Sequence, residues 1–129
     1  SRGGYSAFLA KDQFIASGLE AQQIALALES SNTPATLTIS LVGSDWVFTV
    51  TKFNEPTPMT VLTADSAGGT LTIDGTVLTA AAPRTFSYNR SGSLAGNTSH
   101  TLVFTADNSH TACLSASGYA YSPASGSCP

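Results

Sequence analysis

Residues Tyr5–Glu29 read YSAFLAKDQFIASGLEAQQIALALE, and this stretch decides the fold. At about 100° per residue, Tyr5, Phe8, Ile15, Leu19 and Leu26 fall on one helical face. Phe14, Ala21, Ile24, Ala25 and Leu28 fall on roughly the opposite side. A helix that covers one small domain needs a single apolar stripe. Two stripes predict two neighbours: the domain's own sheet and something the chain does not contain, such as another copy or a partner subunit. The C-terminal part of the first stripe, Ile15, Leu19 and Leu26, is expected to be buried on the sheet, because the strands supply facing apolar residues only where sheet exists. Phe14, Ala21, Ile24, Ala25 and Leu28 are then the expected subunit interface, and Ala21→Glu the expected probe of it. The competing reading is that the second stripe reflects only the abundance of alanine.

The helical pattern runs out at Ser30-Ser31-Asn32-Thr33-Pro34, where turn formers cluster and Pro34 blocks continuation. The period then changes to two. Leu37, Ile39 and Leu41 alternate with Thr36, Thr38 and Ser40, which predicts a half-buried strand. Gly43-Ser44-Asp45 turns the chain into a second strand over 46–53, with Trp46, Phe48 and Val50 on one face. Pro56 and Pro58 break it, and 59–63 is a short third. Thr70–Ile73, Asp74-Gly75 and Thr76–Thr79 read as a hairpin closed by a type I′ turn. Further strands are expected at 85–88, 100–105, 112–115 and 119–121, with a Gly-rich loop at 89–97 and a turn at Ser117-Gly118. One helix followed by seven or eight short strands excludes a βαβ architecture. The expected class is α+β: a helix over 1–30 on the antiparallel sheet of a head over 36–129, within a single domain 1–129.

Composition narrows the function. Only 10% of residues are charged, against an ordinary ~25%, and 18 Ser with 17 Thr supply the polarity instead. A net charge of −3 with five scattered Lys and Arg gives no phosphate-tracking patch, which argues against nucleic acid. No run approaches the ~18 apolar residues of a membrane span. Ser1-Arg2-Gly3-Gly4 reads as an appended scar or the exposed end of a truncated segment. Cys113 and Cys128 would close a short terminal ring, stabilising by about 3 kcal/mol and pinning the tail. That pairing requires an oxidising compartment. The alternative is two free cytosolic thiols, although Cys128 beside the last residue makes an odd core residue.

Candidate chemistry is sparse. His110 lies near Asp107 and Ser109, but Ser is so common that a neighbouring Ser carries little information, and no Gly-x-Ser-x-Gly elbow exists. No catalytic, cofactor or metal site is expected. Asp65, Asp74 and Asp107 are isolated and read as loop or turn residues. Asn89-Arg90-Ser91 and Asn97-Thr98-Ser99 match the glycosylation pattern, which is often accidental. Tyr88, Tyr119 and Tyr121 would serve a sugar-binding surface or, more commonly, cross-strand pairs.

Two regions together resemble the soluble domain of type IV pilin-like proteins, in the branch of minor pilins and pseudopilins typified by type II secretion pseudopilin H. Phe8–Phe14 through Ala21–Ala25 is similar to the second half of that family's long helix. Thr85–Ser93 resembles its strand ending in a "Phe … Gly" turn. His100–Phe104 and Cys113–Tyr119 resemble its closing strands, with a "Ser-x-x-Gly" turn. The tail cysteines and the Ser-Arg-Gly-Gly junction point within that branch to minor pilins of the mannose-sensitive haemagglutinin pilus. The resemblance implies a structural, non-enzymatic subunit of a pilus or pseudopilus that acts in fibre assembly or initiation. Its partners would be other pilin subunits, and its location the periplasm or cell exterior. It also implies an apolar segment upstream that anchors the precursor in the inner membrane. The isolated domain is expected to be monomeric. The competing expectation is a secreted adhesin or carbohydrate-binding module using loops 89–97 and 115–128.

Overall fold

In the computed structural model, which describes residues 2–28 and 32–129, one helix is followed by nine strands. The helix α1 spans Arg2–Ala27. Its expected last residue, Glu29, and the Ser30-Ser31 start of the turn lie outside the described residues. Pro34 is buried at the entry to the first strand, where its carbonyl accepts from the Phe53 amide at 2.9 Å.

The strands are β1 (Ala35–Val42), β2 (Asp45–Lys52), β3 (Thr60–Asp65), β4 (Thr70–Ile73), β5 (Thr76–Val77), β6 (Arg84–Tyr88), β7 (His100–Ala106), β8 (Asn108–Leu114) and β9 (Ala120–Tyr121). They form two antiparallel sheets, ordered β3-β2-β1-β6 and β5-β4-β7-β8-β9. The chain therefore has the expected α+β architecture, with the helix laid across both sheets. Alternation sorts each strand: Leu37, Ile39, Phe48, Val50, Leu102 and Phe104 are fully buried, while the intervening Thr and Ser face outward. On the outer surface of the first sheet, Thr38 and Thr85 share a 2.9 Å hydroxyl bond across neighbouring strands. Thr36 and Thr51 are joined in the same way.

Turn chemistry explains the connections. Asp74 and Gly75 have φ of 53° and 84°, the pair of positive values a type I′ hairpin needs. Asp107, at φ 68°, closes β7 directly onto β8, so that Ala106 faces Asn108. This tight reversal starts β8 four residues earlier than the sequence reading placed it. The segment Asn108–Thr111 lacks apolar alternation, and pairing with β7, not its own composition, makes it a strand.

Phe14 sits where the helix meets both sheets. Its ring centroid lies 6.5 Å from that of Phe48 in the first sheet and 6.5 Å from that of Phe104 in the second. Trp46 packs edge-on to Phe104 at 5.4 Å and completes the cluster.

Candidate functional site

The helix buries the face opposite to the one the sequence reading chose. Ala7, Ala10, Phe14, Ala21 and Ala25 are all 0% exposed against the domain's own sheets. Phe14, Ala21 and Ala25 are thus core residues, closed to any contact with a subunit. Ile24 and Leu28 are half-buried, and Ile24 packs on the core margin. The reason is distance. A Cβ on Gly18 would stand 2.8 Å from Ala120 Cβ, and one on Gly3 would stand 2.6 Å from Asp107 Oδ2. Where the helix backbone comes this close to a sheet, as at Gly3 and Gly18, only small residues fit, and Phe14 alone among the large ones is seated inward, between Phe48 and Phe104. Gly3 is therefore packed against the β7–β8 turn, while Arg2 stays exposed and bonds Asp65 at the end of β3.

The outward face carries the first stripe. Tyr5 is 67% exposed, Phe8 45% and Leu26 56%, while Leu19 and Ile15 are half-buried and Ile15 touches the core. This face, which also exposes Asp12 and Gln23, is contacted on both flanks. Toward the first sheet, Thr60 donates to Glu20 at 2.7 Å, and the Arg2–Asp65 pair ties down the first turn. The Ala67 amide and Arg2 together hold the Asp65 carboxyl below its usual range. Toward the second sheet, the Phe8 ring meets His110 edge-on at 5.8 Å, and Lys11 Nζ lies 4.6 Å over that ring. Near the helix end, Gln22 Nε2 donates to the carbonyls of Gly92 and Ser117, both at 3.2 Å.

Those two carbonyls belong to the loops whose sequences carry the family resemblance. The loops meet under the helix: the Leu94 amide donates to Ala116 at 3.0 Å. A Cβ on Gly118, at φ 87°, would lie 1.9 Å from the Gly92 carbonyl. Ser115 closes its own turn, with its backbone N–H donating to the Tyr119 carbonyl at 2.9 Å and its hydroxyl accepting from the Tyr119 amide at 3.1 Å. Cys113 and Cys128 form the anticipated disulfide, pinning the C-terminal segment to β8.

The groups weighed for catalysis are not brought together. His110 packs on Phe8, Ser109 Oγ bonds Thr105 Oγ1 at 3.0 Å, and Asp107 forms the β7–β8 turn. Among the described residues, no group of three His, Cys, Asp or Glu side chains could hold a metal, and no helix is long and apolar enough to cross a membrane. Tyr88 is 0% exposed, and burial pushes its phenol up in pKa, which removes it from any sugar-facing surface. Tyr119 and Tyr121 stack on each other at 5.6 Å. Asn89 Oδ1 accepts from the Ser91 amide at 3.1 Å, which commits that side chain to a local turn. Asn97 stands exposed at φ 51°.

One polar cluster escapes sequence reasoning. Arg84 on β6, Asp74 in the β4–β5 turn and His100 at the start of β7 converge where the two sheets part. Asp74 Oδ2 accepts from His100 Nδ1 at 2.6 Å, and Asp74 Oδ1 accepts from the Thr101 amide at 2.9 Å. Partial burial works against the Asp74 charge, but these bonds and the nearby Arg84 outweigh it and hold the carboxyl below its usual range. Separated by 10 and 16 positions along the chain, the three residues show no spacing that signals their meeting. Sheet topology alone assembles them.

No described protein family and no curated protein matches this chain in sequence. Among solved structures, two crystal forms of the type IV minor pilin FimU from Pseudomonas aeruginosa PAO1 are similar to it. The form in space group P65 superposes with a TM-score of 0.66 at 16% identity, covering 93% of this chain and 94% of that one. The form in P21 gives 0.65 at 16% identity, covering 95% and 92%. The likeness spans helix and both sheets, so the chain has a type IV pilin-like fold.

Proposed function

We propose that this chain is a structural subunit of a bacterial type IV pilus or type II secretion pseudopilus, acting in fibre assembly or initiation and not as an enzyme. The observation that carries this reading is the outward face of α1. Tyr5, Phe8 and Leu26 stay exposed on a helix whose other face is sealed against two sheets. Side chains of that size facing water on a helix packed across both sheets fit a surface that is covered in an assembly. The pilin-like fold supports the same reading. The resemblance to the pseudopilin H branch and to mannose-sensitive haemagglutinin minor pilins adds the finer placement. Under it, an apolar segment upstream anchors the precursor in the inner membrane and then packs inside the fibre. The mature subunit then lies in the periplasm or outside the cell. The partners are other pilin subunits, and the chain in isolation is monomeric because Tyr5, Phe8, Leu19 and Leu26 alone offer too little area for a stable dimer.

The test uses the full-length protein in cells. Tyr5→Glu and Ala16→Glu both place a charge on the outward face, at positions exposed in the domain. The folded domain should remain at normal levels while surface fibres, counted by electron microscopy, are lost. Normal fibre numbers with both variants would remove this face from assembly.

A further inference from the structure

The gap between the sheets holds a pocket of about 260 Å³, lined chiefly by Arg84, Thr85, Phe86, Leu94, Gly96 and His100. Two features of its walls matter. The first is backbone. β6 is the edge strand of its sheet, and its pairing with residues 93–95 begins but stops. The Asn89 amide donates to Ser93 and the Ala95 amide to Ser87, which shows that residues 87 and 89 direct their backbone groups away from β1. By the same alternation Thr85 does so too. The loop does not continue to meet it. It turns away instead, with the Asn97 amide donating to Leu94 at 3.0 Å and Asn97 at φ 51°. The N–H and C=O of Thr85 and the N–H of Ser87 are left facing the pocket with no backbone partner among the described residues.

The second feature is charge. Both Asp74 oxygens are engaged, one by His100 and one by the Thr101 amide. Arg84 Nη2 forms an ion pair with the Asp74 carboxylate at 3.6 Å, too long for a hydrogen bond. It lies 3.5 Å from His100 Nδ1. The His100 nitrogen donates its proton to Asp74, so it cannot also accept from Arg84. The guanidinium, seated 5.2 Å over the Phe86 ring, is therefore positioned but makes no charge-assisted hydrogen bond to a carboxylate.

We propose that this slot binds an extended peptide segment bearing a carboxylate side chain. The peptide backbone adds to the β6 edge at Thr85, and its carboxylate takes the guanidinium fork of Arg84. Short strand addition supplies the main-chain bonds, and the cation selects the side chain. The inference is independent of the outward helix face and of any fibre.

The experiment titrates acetyl-Thr-Val-Glu-Val-Thr-amide, and its Gln counterpart, into the ¹⁵N-labelled chain at low salt and follows amide shifts. The Glu peptide should move the Thr85 and Ser87 amides in a saturable way. It should bind about tenfold or more tightly than the Gln peptide, and the difference should shrink as salt screens it. Arg84→Gln should abolish that difference. Thr85→Pro, which removes the outward N–H of an edge strand along with the Thr38–Thr85 hydroxyl bond on the other side of β6, should weaken both peptides alike. Unchanged melting of either variant would show that the fold survives; if Arg84→Gln unfolds, Thr85→Pro still decides the backbone half. Equal affinity for both peptides would overturn the carboxylate assignment. Absent shifts at Thr85 and Ser87, or shifts confined to the outward helix face, would overturn the site. Shifts that appear on concentrating the chain alone would instead mark a contact between copies and refute a peptide ligand.

Discussion

Replacing Phe14 with Ala tests the assignment of the helix faces more sharply than any other change. The Phe14 side chain is 0% exposed and touches an aromatic ring from each sheet. Truncation removes about 150 Å² of buried apolar surface, which at roughly 25 cal/mol per Å² is about 4 kcal/mol. Cavity formation raises that figure and collapse of the rings lowers it, so about 3–5 kcal/mol is expected. Against a typical total of 5–15 kcal/mol, such a loss is severe but measurable. Urea unfolding monitored by Trp46 fluorescence reports it directly, because Trp46 packs on Phe104 in the same cluster. With an ordinary urea dependence the midpoint should fall by about 2 M. Tyr5→Ala, on the outward face, should move it by less than about 0.5 kcal/mol. A Phe14→Ala loss below about 1 kcal/mol, or a larger loss from Tyr5→Ala, would mean that the helix is rotated from the orientation described.

Four further outcomes are expected. Gly118→Ala drives a Cβ into the Gly92 carbonyl at 1.9 Å and imposes φ 87° on an L-residue, so it should cost more than about 2 kcal/mol. Gly43→Ala, at φ 61° with open space around it, should cost only about 1 kcal/mol in the same denaturation assay. Reducing Cys113–Cys128 should lower stability by about 3 kcal/mol, measured by paired melts with and without reductant. The Asp74 carboxyl is held below its usual value of 3.8. Its stabilisation is therefore present above that value and lost as pH falls through the lowered folded pKa. Asp74→Asn should flatten the acid limb of the stability profile below about pH 4.

The sequence by itself determined the class and most of the elements. Local rules sufficed there: the 3.6-residue period of Tyr5–Leu28, the two-residue period of Leu37–Leu41 and Trp46–Val50, and the Asp74-Gly75 turn each encode structure within a few residues. The disulfide was legible because only two cysteines exist. Only the tertiary structure decided which helix face is core. The position of the strands pointed to Ile15, Leu19 and Leu26, but the close approach of α1 to two sheets admits only small residues beside Phe14. That constraint lives in the distance between elements, which no local pattern records. The strand at Asn108–Thr111 likewise exists through its pairing with β7. The convergence of Arg84, Asp74 and His100, and the stacking of Gly92 on Gly118, arise where separate elements cross. A periodicity tells which residues share a face, and packing alone tells what that face meets.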